Sequence, residues 1–313
     1  MSSNLYWNGD KGMTKALEAR EMAEVGIHPK GYRLPATAHV GRVRLAVSEL
    51  ERSVGFYRDV IGLAVLGVEG KLVQLGAHGD ARVLLELEEV PGVEAIGRRT
   101  RLGLYHTAFL LPSREALSSF VRHLARLGVS FGAADHLFSE ALYLTDPDGL
   151  QVEVYADRPR EQWTVEGREL VGATNPMRFE TLPEVAEDSW KGAPAGTTVG
   201  HVHLYVGDLK LASEFYLEGL GLDLITWRYP GALFTSAGGY HHHVGLNVWA
   251  AGSPVASAKD TRLLFWEMVL PDAAEVALVA ASLTKGGYEA VEVASGAKAF
   301  RDPWGITVAL VVA

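Results

Sequence analysis

Residues 41–63, GRVRLAVSELERSVGFYRDVIGL, come back as residues 200–222, GHVHLYVGDLKLASEFYLEGLGL, and the two stretches align without a gap. Val47/Val206, Leu50/Leu209, Phe56/Phe215, Tyr57/Tyr216 and Gly62/Gly221 are kept. The likeness continues downstream. HTAFLLP (106–112) aligns with FWEMVLP (265–271), and LTDPDGLQVEV (144–154) with FRDPWGITVAL (300–310). A pair of modules has been duplicated, so the chain carries four.

Every module reads alike. A strand with period-two alternation opens it, as in Val202, Leu204 and Val206, and an amphipathic helix follows, as in Leu209, Ala212, Phe215 and Tyr216. Apolar strands broken by Gly turns complete the unit, and in modules two and four a DPxG turn leads into the last strand. This is a βαβββ unit whose helix covers one sheet face and leaves the other to curl around something. The expected fold is α+β, with four βαβββ modules arranged as two curved-sheet cups. The expected organisation is an N-terminal arm over 1–36 with a short helix at 15–24, modules one and two over 37–157, a connector over 158–198, and modules three and four over 199–313.

Composition narrows the function. The 313 residues hold 38 acidic and 29 basic side chains, a net charge of −9 that offers no footprint for nucleic acid or an anionic membrane. No apolar run is long enough to cross a bilayer, and no signal core opens the chain. Cysteine is absent, which excludes disulfides, thiolate metal sites and Cys nucleophiles and makes the cytoplasm the expected compartment. Any metal must be held by His, Asp or Glu. Edge strands and the N-terminal arm make a homo-oligomer conceivable.

If the apolar alternate residues face the helices, their neighbours face the cups. That assigns His201, His203 and Tyr205 of module three to a cup, with His106, Tyr143, Gln151, Glu153 and Tyr155 of module two. In GGYHHHVGLN (238–247) the same alternation, extended backwards from Val244, turns His241 and His243 into the cup and His242 toward the helix. Two imidazoles and one carboxylate, His106, His201 and Glu153, are the donor set of a facial triad that leaves positions open on a divalent ion. The equivalent residues in the other copy are Phe265, Arg42 and Ala309. Each copy keeps what the other has lost. The three donors meet only if modules two and three share one cup, within one chain or between two, and pairing within one chain is the favoured arrangement. Modules one and four are then left to form a metal-free cup in which Arg42 and Arg44 pair with Glu86.

GHVHLYVGDL, GGYHHHVGLN, GLYHTAFLLPSR, SEALYLTDPDG and QVEVYADRPREQW together resemble the catechol 2,3-dioxygenases of Bacillus type, extradiol enzymes of the vicinal oxygen chelate (glyoxalase-like) superfamily. The resemblance implies that His106, Glu153 and His201 hold Fe(II), with Mn(II) as the alternative; the ligands alone also suit Zn²⁺. It further implies that His243 is the acid/base histidine and that Tyr143 and His136 contact the substrate, while His203 and His241 orient ligands or waters around the metal. The implied partners are a small aromatic diol and O₂, and the implied product is a muconate semialdehyde. The ligand order His, Glu, His departs from two-domain extradiol enzymes, which run His, His, Glu within one module pair. Two rivals share the scaffold: a glyoxalase-type lyase or isomerase, which needs a second carboxylate ligand, and a metal-free sequestering protein.

Overall fold

The duplicated halves do not close on themselves. In the computed structural model, which describes residues 25–293 and 296–313, the first strand of module three (Thr198–Tyr205) lies antiparallel to the first strand of module two (Gly103–Leu110). The first strand of module one (His39–Val47) lies antiparallel to that of module four (Arg262–Leu270). Two eight-stranded sheets result, one from modules three and two and the other from modules four and one. Each sheet runs from one module's outer strands inward to its first strand, crosses to the partner's first strand and runs out again. The pairing inferred from the lost and retained ligands is the one the chain adopts, within a single polypeptide. The helix expected over residues 15–24 lies outside the described residues. Among the described residues no helix is long and apolar enough to cross a membrane.

Helices cover the outer faces for the reason the pattern gives. Arg114–Leu127 is capped by the Ser113 hydroxyl, which accepts from the Ala116 N–H, and stops at Gly128 in the left-handed region. It buries Leu117, Phe120 and Leu124. The helices of modules one and three are shorter than the pattern suggests. Leu50–Gly55 and Leu209–Ser213 each widen into a π-helical turn, Phe56–Val60 and Glu214–Gly219. The wide turns place fully buried Tyr57 and Tyr216 so that their hydroxyls donate to Asp146 and Asp302, both at 3.1 Å.

These two aspartates open the DPxG turns. Asp146 Oδ1 accepts the N–H groups of Asp148 and Leu150, and Asp302 Oδ1 those of Trp304 and Ile306. Burial pushes both carboxyls up to about 7, so each depends on its donors. The two modules of each duplicated pair are thus bonded helix to turn, whereas modules one and four, and two and three, are bonded strand to strand. Tyr216→Phe is expected to cost about 1–2 kcal/mol of stability in urea denaturation, with Tyr57→Phe matching it. A cost below experimental error for both would show that the bond holds nothing.

Candidate metal centre

Three side chains converge from three strands of the two-plus-three sheet. His201 lies on Thr198–Tyr205, His106 on Gly103–Leu110, and Glu153 on Gln151–Asp157. Ala108 sits between His201 and Glu153 as the cross-strand neighbour of both. Glu153 Oε2 is 2.9 Å from His106 Nε2 and 3.3 Å from His201 Nε2, and the two Nε2 atoms are 3.2 Å apart. All three residues are buried.

Two glycines make this convergence possible. The strand bulges between Val199 and His201, and a Cβ at Gly200 would lie 1.8 Å from the Tyr155 hydroxyl. A Cβ at Gly245 would strike the ring of His203 at 2.7 Å. Tyr155 backs the ring of His201 at 5.0 Å between centroids, and His203 stands 4.9 Å from that of His106.

The donors fit a divalent cation. Burial pushes His201 down to about 4, against the pull of Glu153, so its lone pair is free at neutral pH. Three ligand atoms lie within 4.8 Å of one another, and this is the one such group among the described residues. Nδ1 of His106 and of His201 has no partner among the described residues, so none of these diverts either ring from the shared point.

A cavity of about 500 Å³ opens over His106 and Glu153. Tyr143, the cross-strand partner of Glu153, lines it and donates its hydroxyl to His136 Nε2 at 2.7 Å. His136 Nδ1 donates to the Ala173 carbonyl at 2.6 Å, which fixes Nε2 as the acceptor. Burial pushes the Tyr143 phenol far up, so it stays a donor. His203 lines the wall with an Nε2 that has no partner among the described residues, and burial holds its imidazole neutral.

The three consecutive histidines are placed differently from the alternation. Regular strand begins only at Val244, and the chain before it is irregular. His242, expected on the helix side, lines the cavity with its ring 4.0 Å from that of His201. His243, expected at the site, is not among the lining residues; its Nδ1 accepts from the Ala237 N–H, and burial pushes its imidazole down to about 3. His241 lies behind His242, stacked on Phe138. Alternation fails here because it presumes paired backbone on both sides of each residue.

The connector also surprises. It forms a two-stranded ribbon, Val165–Glu166 with Glu169–Leu170, and then brings Gly172, Ala173 and Thr174 to the cavity wall. Its sequence carries no period that points to that role. The second cup is filled. Arg42 and Arg44 bond Glu86 at 2.9 and 2.7 Å, Arg42 also bonds Glu267 at 2.7 Å, and the Arg44 guanidinium lies 5.1 Å from the centre of the Phe265 ring.

The family model of the Glyoxalase/Bleomycin resistance protein/Dioxygenase superfamily matches residues 38–154 and 198–310. The chain is 44% identical over 259 residues to the Catechol-2,3-dioxygenase of Bacillus subtilis (strain 168), covering 81% of this chain and 90% of that protein. A Bacillus subtilis protein crystallised as a candidate dioxygenase shares the fold at a TM-score of 0.62 and 14% identity, over 90% of this chain and 86% of its own. Glyoxalase I from Zea mays does so at 0.54 and 17%, over 88% and 92%. Both matched stretches coincide with the duplicated module pairs and leave out the arm and most of the connector, so the chain belongs to the Glyoxalase/Bleomycin resistance protein/Dioxygenase superfamily.

Proposed function

We propose that the chain is an extradiol dioxygenase that opens catechol-type aromatic diols with O₂ at Fe(II), with Mn(II) as the alternative ion, to a muconate semialdehyde. The observation that carries this reading is the meeting of His106, His201 and Glu153 within 4.8 Å of one another, with His106 and Glu153 on the wall of a cavity of about 500 Å³. The relative at 44% identity, itself a catechol-2,3-dioxygenase, supports the reaction class. The cavity has the size of a small-molecule site, and Tyr105, Phe234 and Trp249 give it the aromatic walls that suit a planar ring.

His106, His201 and Glu153 would hold the ion. Bound there, a divalent metal supplies Lewis acidity toward the diol oxygens and an electron path between ring and O₂. The chain supplies proton handling. His242 stands beside His201 in the wall, and burial keeps its imidazole neutral, ready to take a proton from the diol and return it as the ring opens. The resemblance of the sequence alone points to His243 for this task; the placement of the rings moves the proposal to His242. Tyr143, its one proton given to His136, turns a hydroxyl lone pair toward the cavity that would accept from a substrate hydroxyl. His203 and His241 orient what surrounds the metal.

An isomerase of glyoxalase type is less well supported. Its second carboxylate has no candidate on Val244–Asn247, where Gly245 and Asn247 face the cup and the Asn247 Oδ1 accepts from the Trp249 N–H. Protein purified with iron under argon is expected to hold close to one iron per chain and to yield a yellow product from catechol and O₂. His242→Phe is expected to keep its iron and lose about a hundredfold or more of kcat, while His243→Phe stays within a few-fold of the parent. Turnover of methylglyoxal with glutathione, without turnover of catechol, would overturn the assignment.

A further inference from the structure

We propose that Asp157 is a positioning residue: through His241 it sets which nitrogen of His242 carries the proton, and so presents a lone-pair nitrogen to the cavity. The tautomer assignment stands on geometry alone, while its use in catalysis rests on the dioxygenase reading above.

Asp157 closes the strand Gln151–Asp157 that carries Glu153. Its Oδ1 lies 2.9 Å from Nε2 of His241, and the side chain retains 26% exposure, so the line begins near solvent and runs inward. His241 is fully buried, with its ring stacked on Phe138 at 4.5 Å and an interplanar angle of 15°. The stack fixes the plane of the ring, and a flip within that plane would break the bonds to both Asp157 and His242. Nδ1 of His241 then lies 2.7 Å from Nδ1 of His242.

The direction of each bond follows from what each group can do. A carboxylate only accepts, so Nε2–H of His241 donates to Asp157. In the neutral imidazole Nδ1 of His241 is left to accept, and Nδ1–H of His242 donates to it. Nε2 of His242 therefore carries a lone pair. Tyr240 donates its hydroxyl to the same Asp157 oxygen at 3.3 Å and itself receives the Tyr155 hydroxyl at 2.7 Å, which holds the carboxylate in place. Neither Asp157 nor His241 lines the cavity. Their influence passes entirely through His242.

The test begins on metal-free protein. Long-range proton–nitrogen-15 correlation of the labelled histidines is expected to show His242 of the parent in a single tautomer, protonated on Nδ1. Asp157→Ala is expected to abolish that uniform state. His241→Phe, which keeps the ring volume and the contact with Phe138, is expected to do the same, so the idea survives a failure of the alanine variant to fold. Either variant with His242 still uniformly protonated on Nδ1 would refute it.

With iron loaded, each variant is expected to lose about tenfold or more of kcat on catechol while KM stays within a few-fold, as for other partners that orient a catalytic ring from behind. 4-Nitrocatechol, whose first hydroxyl is far more acidic, is expected to lose less. Equal losses on both substrates would overturn the catalytic half. A parent protein that opens no catechol ring, yet shows the Nδ1-protonated His242, would overturn the dioxygenase reading and uphold the tautomer assignment.

Discussion

Glu153→Gln is expected to give a folded protein that retains no metal after dialysis and has lost at least about a thousandfold of its ring-opening activity. The amide fills the same volume on Gln151–Asp157 and still reaches His106 and His201, which stand 2.9 and 3.3 Å from the native carboxylate. Only the negative charge goes. Two neutral imidazoles then hold a dication by themselves, in a site where burial has removed the water that would otherwise share the charge. A thousandfold corresponds to about 4 kcal/mol, of the order that a Lewis-acid centre contributes to a transition state. Metal analysis and turnover separate the two parts of the effect. Full iron occupancy in the variant would mean that Glu153 is not a ligand, whatever the activity.

Glu86→Ala in the other cup is expected to cost about 3–5 kcal/mol of stability in guanidinium denaturation, without loss of iron from the metal centre. Glu86 is fully buried and accepts from Arg42, Arg44 and Gln74 at 2.9, 2.7 and 3.0 Å. Removing it leaves two guanidinium groups facing each other. Arg42 keeps Glu267, but Arg44 keeps only half-exposed Glu88 at 3.3 Å. The combined variant Arg44→Met, Glu86→Leu is expected to recover most of the loss, because an apolar pair of similar volume leaves no charge uncompensated. A cost below about 1 kcal/mol for Glu86→Ala would mean that water enters this cup and solvates the arginines.

The contrast between the cups was legible in the chain. Where one copy keeps His201, the other has Arg42; where one has His106, the other has Phe265. The cup of modules one and four became a charged, self-satisfied core, and the cup of modules two and three kept the donors. The donor set, the alternation that aims it inward and the pairing of modules two with three all follow from comparing the halves, because a strand with one buried face leaves its period in the sequence.

Other features left no such trace. The connector reaches the cavity through Gly172, Ala173 and Thr174, which carry no period and no special chemistry. His242 was assigned to the wrong face because the strand in GGYHHHVGLN begins one residue after the last histidine. The widened turns at Phe56–Val60 and Glu214–Gly219 follow the same register in both copies, yet a period near 3.6 cannot distinguish them from α-helix.

What the sequence by itself determined is the module, its repetition and the three donors, since these rest on local periodicity and on residues that differ between two copies of one pattern. Only the tertiary structure decided which of His241, His242 and His243 looks into the cavity, and that Asp157 stands behind them. A side chain's direction in irregular backbone is set by what packs around it, here Phe138, Tyr240 and Ala237, and none of these is near in sequence to the strand that holds Asp157's neighbour Glu153 except through the fold.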